Sequence, residues 1–126
     1  MATDPELLDH VLDLFSGLGR VTTARMFSGT ALYVEGDVMF AVVISDTVYM
    51  KSDAATAPAY AEAGALPFSY DDRNGRHKVT SLLSLPESAM DDAEEALAWA
   101  RLSLPPARAA AAVKRRQKAR KAAARR

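Results

Sequence analysis

The sequence predicts an α+β domain, two layers deep, with an antiparallel sheet and helices packed mostly on one face. Three observations predict it. Apolar residues recur at helical spacing near the start and again after Pro86, while between them they come in short strand-like runs. The links Glu35-Gly36-Asp37 and Ser45-Asp46-Thr47 are far too short for the crossover that parallel strands need. Asn74-Gly75 separates two more strand-like runs and is the strongest hairpin signal in the chain.

Each element follows in order. Asp4-Pro5 starts a helix, since Asp accepts hydrogen bonds from free amides and Pro tolerates the first helical position. Leu7, Leu8, Val11, Leu12, Leu14, Phe15 and Leu18 give that helix one apolar face, and Gly17 and Gly19 end it. Residues 21–27 read as a strand of undefined length, broken by Ser28-Gly29. Strands at 31–34, 38–44 and 48–51 follow, so three or four precede the second helix. Asp53 caps that short Ala-rich helix, which runs through Tyr60 to Ala63 and ends at Gly64, with Pro58 in its first turn. Strands at 66–70 and 78–85 flank the Asn-Gly turn. Met90, Ala93, Leu97, Ala100 and Leu104 then mark one face of a last helix, which Pro105-Pro106 is expected to stop.

Residues 38–44 carry a further implication. A sheet covered on one face should alternate apolar and polar residues, yet Val38-Met39-Phe40-Ala41-Val42-Val43-Ile44 does not. Burial on both faces is expected there. The third helix, the C-terminal tail or a second subunit would supply the cover, and the last option makes a homodimer.

At 126 residues, the chain has room for one domain, assigned to 1–105, and a tail, 106–126. The formal net charge of zero conceals a division: residues 1–105 hold seven basic against sixteen acidic side chains, net −9, and 106–126 carry nine basic residues and no acid. The absence of cysteine excludes disulfides, thiolate metal sites and a cysteine nucleophile. The longest apolar run has seven residues, against about 20 for a membrane span. Thr3-Asp4-Pro5-Glu6 is unlike a secretory signal. A cytoplasmic, bacterial-type setting is expected, without membrane attachment.

Little catalytic chemistry is legible. His10 and His77 have no partner at metal-ligand spacing, so no metal is expected. Asp71-Asp72 and Asp91-Asp92 sit by a turn and near a helix start, positions that favour Asp without any acid–base role. No Gly-x-Ser-x-Gly elbow or phosphate loop is present, and Gly17-Leu18-Gly19-Arg20 follows a helix where a dinucleotide motif follows a strand. The sequence thus predicts no catalytic residue and no cofactor. Arg25, Met26, Phe27 and Gly29 are candidates for protein contact: a cation, apolar knobs and a glycine at a sheet edge. Lys51, Tyr33 and Tyr49 read as ordinary sheet residues unless a pocket joins them.

The tail is the clearest functional feature. Arg108, Lys114, Arg115, Arg116, Lys118, Arg120, Lys121, Arg125 and Arg126 are set among alanines. The charges from Lys114 onward fall on every side of a helical wheel, so the segment is expected to be disordered or a solvated helix. Such a segment neutralises phosphates in a salt-dependent way, and without aromatic residues it binds nucleic acid regardless of sequence. It could also serve solubility alone, or fold back on the acidic body.

Arg25-Met26-Phe27-Ser28-Gly29, Leu32-Tyr33, Gly36, Val38-Met39-Phe40-Ala41 and Val48-Tyr49-Met50-Lys51 together resemble the N-terminal domain of the TfoX/Sxy family. Ala63-Gly64, Pro67-Phe68-Ser69-Tyr70, Leu85-Pro86 and Ala98-Trp99-Ala100-Arg101 extend the similarity over nearly the whole body. The resemblance implies an α-β(3)-α-β(2)-α order and a role like that of competence regulators, which act with a transcription-regulator partner at promoters. Ser28 stands where the family has the first Gly of a pair, and Thr30-Ala31 where an aromatic residue and Gly are usual. Ser81-Leu82-Leu83-Ser84 lacks the aromatic residues expected near the end of the last strand. Compared with that family, a basic tail is expected in the place of its C-terminal helical domain.

The expected function is therefore a non-enzymatic regulatory or accessory protein, with a body for protein contacts and a tail for non-specific nucleic-acid binding. Two alternatives belong to other classes. A small-ligand-binding domain or enzyme would show a concave site joining Arg25, Tyr33 and Lys51. An interaction module like the secretion chaperones would co-purify with a polypeptide.

Overall fold

Asp4 opens α1 (Pro5–Leu14): its carboxylate accepts the Glu6 amide at 3.2 Å, and Pro5 occupies the first turn, whose N–H groups have no partner within the helix. The computed structural model describes residues 3–26 and 28–125, so Phe27 and Arg126 among the predicted contact residues lie outside the described residues. A 3-10 turn at Ser16–Leu18 leads to β1 (Thr22–Met26), β2 (Gly29–Val34), β3 (Val38–Ile44) and β4 (Thr47–Lys51). Then come α2 (Ala57–Glu62), β5 (Pro67–Asp72), β6 (Gly75–Ser84), a 3-10 turn at Glu87–Asp91 and α3 (Ala93–Ala124). The expected α+β class and antiparallel sheet are found. Four strands precede α2, one more than the α-β(3)-α-β(2)-α order contains.

The six strands lie in the order β1-β2-β3-β4-β6-β5, every neighbour antiparallel. Turn chemistry sets the early register. Glu35 (φ 56°) and Gly36 (φ 85°) turn β2 into β3, and Ser45 (φ 49°) and Asp46 (φ 62°) turn β3 into β4. Positive φ at consecutive turn residues matches the right-handed twist of the flanking strands. At the predicted Asn-Gly hairpin, the Asp72 carboxylate accepts the Asn74 amide at 2.7 Å and Gly75 closes the turn with φ 110°.

The unalternating run on β3 has a local cause. Leu32 pairs with Ala41 but Tyr33 pairs with Met39, so Phe40 is the extra residue of a bulge. Val38, Phe40, Ala41 and Val43 therefore join the main core, while Met39, Val42 and Ile44 turn to the opposite face.

The main core lies between the sheet and the helices. Val11, Leu14 and Phe15 from the first helical segment meet Leu32, Phe40, Met50 and Leu83, with Phe15 edge-on to Phe40 at 5.2 Å between ring centroids. The opposite face holds a smaller buried cluster, Ala31, Val42, Ile44 and Leu82, ringed by half-buried Met26, Tyr33, Met39, Tyr49, Phe68 and Val79. All of these residues belong to strands, so large side chains of the sheet itself shield its small ones. Tyr49 against Phe68, edge-on at 5.2 Å, is one such pair.

One expectation is corrected. Pro105-Pro106 does not stop the last helix, which continues to Ala124. Each interior proline removes a backbone hydrogen bond, at about 3 kcal/mol. Packing on both sides offsets that cost, because Ser103, Pro106, Ala107 and Ala111 are all buried. Among the described residues, no helix is long and apolar enough to cross a membrane.

Candidate functional site along the third helix

The Asp92 side chain caps α3 by accepting the Glu95 amide at 3.2 Å. The buried residues Ala96, Ala100, Ser103, Ala107 and Ala111 recur every three or four positions and form one stripe. Small side chains let the helix lie close over β3 and β4, its main partners in the sheet. Tyr60 of α2 locks this arrangement: its hydroxyl is 2.6 Å from Ser103 Oγ and donates to the Trp99 carbonyl at 3.2 Å. Burial pushes the Tyr60 phenol up to about 12, with the Ser103 bond acting in the opposite direction.

Beyond Ala111 the helix carries only small, polar and basic residues apart from Val113, and its cations fall into three groups. Arg108 and Arg115, seven positions apart, reach the β2–β3 turn, where Arg108 Nε donates to Glu35 at 3.0 Å and Arg115 donates to Asp37 at 3.0 Å. The Arg108 hydrogen bond holds the Glu35 carboxyl below its ordinary range, and Arg108 is raised in turn. Both pairs are exposed, so they orient the helix and contribute little stability.

Lys114, Lys118 and Lys121 continue the line of Ala107 and Ala111. With Ala110, Arg115 and Gln117 they form the helical wall of an open cavity of about 340 Å³. The other wall comes from the sheet: Tyr33 on β2, Met39 on β3 and Lys51 at the end of β4, with Asp37 at the turn. Lys51 is half-buried, and its ammonium is held below the ordinary lysine range first by burial and then by the charge of Lys114.

Arg116 and Arg120 form the third group, exposed and away from the cavity. Arg125 sits at the C-cap. Among the described residues, the ion pairs on α3 are those of Arg108 and Arg115, which leaves Lys114, Arg116, Lys118, Arg120 and Lys121 outside any.

The remaining predicted residues are dispersed. Arg25 is exposed on the edge strand β1, and Met26 is half-buried in the smaller cluster opposite the main core. Gly29 is buried because a Cβ there would lie 2.0 Å from the Val43 carbonyl oxygen, so its missing side chain serves the fit of β2 on β3. Tyr33 and Lys51 do share a concave site, but Arg25 does not line it. Asp71 pairs with Arg76 at 3.1 Å and Asp72 with His77 at 2.9 Å across the hairpin, while His10 meets the Met90 carbonyl. The cavity lysines are not legible as a group in the sequence, because Lys51 lies more than sixty residues before the others. The three-four spacing of Ala107, Ala111, Lys114, Lys118 and Lys121 was the available signal.

This is an α+β domain with helices packed mostly on one sheet face, whose last helix changes from an alanine seam to a row of lysines. A family model described as the TfoX N-terminal domain matches residues 13–107, and the chain belongs to that family. The match ends before the cationic turns of α3. Among curated proteins, none matches the chain.

Proposed function

We propose that the protein is a non-enzymatic regulatory accessory factor of the cytoplasm, akin to competence regulators, whose last helical turns hold it on nucleic acid regardless of sequence. The carrying observation is the row of exposed cations from Lys114 to Arg125, without a single acidic neighbour in the segment. Phosphates attract such a row by releasing counterions, and the absence of aromatic residues leaves the bases unread. Family membership supports the regulatory role. The sheet face opposite the main core, with half-buried Met26, Tyr49 and Phe68 outside the cavity, is the surface we assign to protein contact, including a homodimer and a transcription-regulator partner.

The test compares fluorescent duplexes of unrelated sequence against the full chain and a chain ending at Val113. That endpoint keeps Ala107 and Ala111 in the core. The full chain should bind all duplexes alike and the shortened one none; equal binding by both would refute the assignment to the helix end.

A further inference from the structure

The geometry points to the cavity between α3 and β2–β4 as a binding site for a small molecule bearing a diphosphate, with Lys51, Lys114, Lys118 and Lys121 as its anion ligands and Tyr33 and Met39 as its apolar wall. The cavity shares Lys114, Lys118 and Lys121 with the cation row assigned to nucleic acid, whereas Lys51, Tyr33 and Met39 belong to the cavity and Arg116 and Arg120 lie outside it.

Four lysines converge on one open volume of about 340 Å³, and none is in an ion pair among the described residues. The single carboxylate at the rim, Asp37, is already held by Arg115 at 3.0 Å. The cavity therefore has uncompensated positive charge from two directions, the sheet and the helix. A surface lysine normally extends into solvent, but Lys51 is half-buried and faces the charge of Lys114. An anion between them relieves both the desolvation and the repulsion.

Charge and length argue for more than one phosphate. Lys114 to Lys121 spans roughly 10 Å at 1.5 Å per residue, more than one phosphate or carboxylate covers. Lysine meets phosphate as a flexible point charge, so a row of them accepts adjacent phosphates without demanding one fixed geometry. The volume falls at the small end of ligand pockets, about 300–1,000 Å³. The Tyr33 ring, the Met39 thioether and the Ala107 and Ala111 methyls suit a flat, weakly polar moiety attached to the phosphates.

Calorimetric titration of the full chain with ADP and with inorganic pyrophosphate tests the proposal. Both should bind, ADP more tightly, and Lys51→Met should weaken ADP at least tenfold. Lys118→Gln, which touches no buried packing, should weaken it severalfold and guards against a folding defect in the first variant. Lys78→Gln removes the same charge from an exposed position on β6 outside the cavity and should leave ADP binding unchanged. No heat with either ligand at millimolar concentration overturns the proposal. So does equal weakening by Lys78→Gln and Lys51→Met, which would show a general charge effect. A cavity whose lysines matter for a DNA duplex but not for ADP would be a nucleic-acid surface and overturns it as well.

Discussion

Removing one oxygen atom should show how α3 is held. Tyr60→Phe keeps the ring against Trp99, 4.5 Å between centroids, and deletes only the hydroxyl that reaches Ser103 and the Trp99 carbonyl. Ser103 is fully buried, so its Oγ loses its inter-helix partner with no water to replace it. A neutral hydrogen bond contributes about 1 kcal/mol net, and an abandoned buried partner costs about 1–3 kcal/mol. Ser103 can turn back toward its own helix, which recovers part of this, so about 1–2 kcal/mol is expected for Tyr60→Phe. Ser103→Ala should cost about 1 kcal/mol, because Tyr60 keeps its second acceptor. The double variant should cost less than the sum by about 1 kcal/mol, the coupling of two groups in direct contact. Urea unfolding followed by circular dichroism measures all four proteins. The phenol adds a pH signature. Because Tyr60 is pushed up to about 12, the folded chain keeps a proton that the unfolded chain, near the ordinary phenol value of 10.0, has released. This contribution is intact below about pH 10 and is lost as pH rises toward 12, so Tyr60→Phe should lose less stability there than the parent. Strict additivity of the two substitutions, or identical alkaline profiles, would refute the reasoning.

Three further outcomes follow from the same packing. Gly29→Ala places a Cβ 2.0 Å from the Val43 carbonyl oxygen and should destabilise the domain by about 2–4 kcal/mol, read from the urea midpoint. Pro105 is exposed inside a continuous helix, so Pro105→Ala should raise stability by about 1–3 kcal/mol; destabilisation would mean the helix does not run through that position. Glu35→Gln with Asp37→Asn releases Arg108 and Arg115, and should speed amide hydrogen exchange in α3 beyond Ala111 while leaving the global unfolding midpoint nearly unchanged.

Much of this fold was legible because local chemistry and tertiary structure agree in it. Asp4-Pro5, the Glu35-Gly36-Asp37 turn, Asn74-Gly75 and the Asp92 cap each act within a few residues. The two-sided burial of β3 was legible from composition, although its cause includes a bulge at Phe40 that no periodicity announces. The path of α3 was hidden for an energetic reason. Pro105-Pro106 is a strong local stop, and what overrides it is distributed over Tyr60, Ala107, Ala111 and the acidic turn, all brought together by folding. The alanine seam was hard to see because alanine is also common on exposed helix faces. The cavity needed three dimensions, since β4 supplies Lys51 and the lysines that face it lie more than sixty residues later.

The central claim is that the outward cations at the end of α3 anchor the protein to nucleic acid, and the salt dependence of duplex binding tests it most directly. For the full chain, log affinity should fall linearly with log salt, by about 0.9 for each phosphate neutralised. Arg116→Gln with Arg120→Gln should flatten that slope by about 1.8 while the fold and the cavity stay unchanged. An unchanged slope in the variant, or no duplex binding by the full chain even at low salt, would contradict the account.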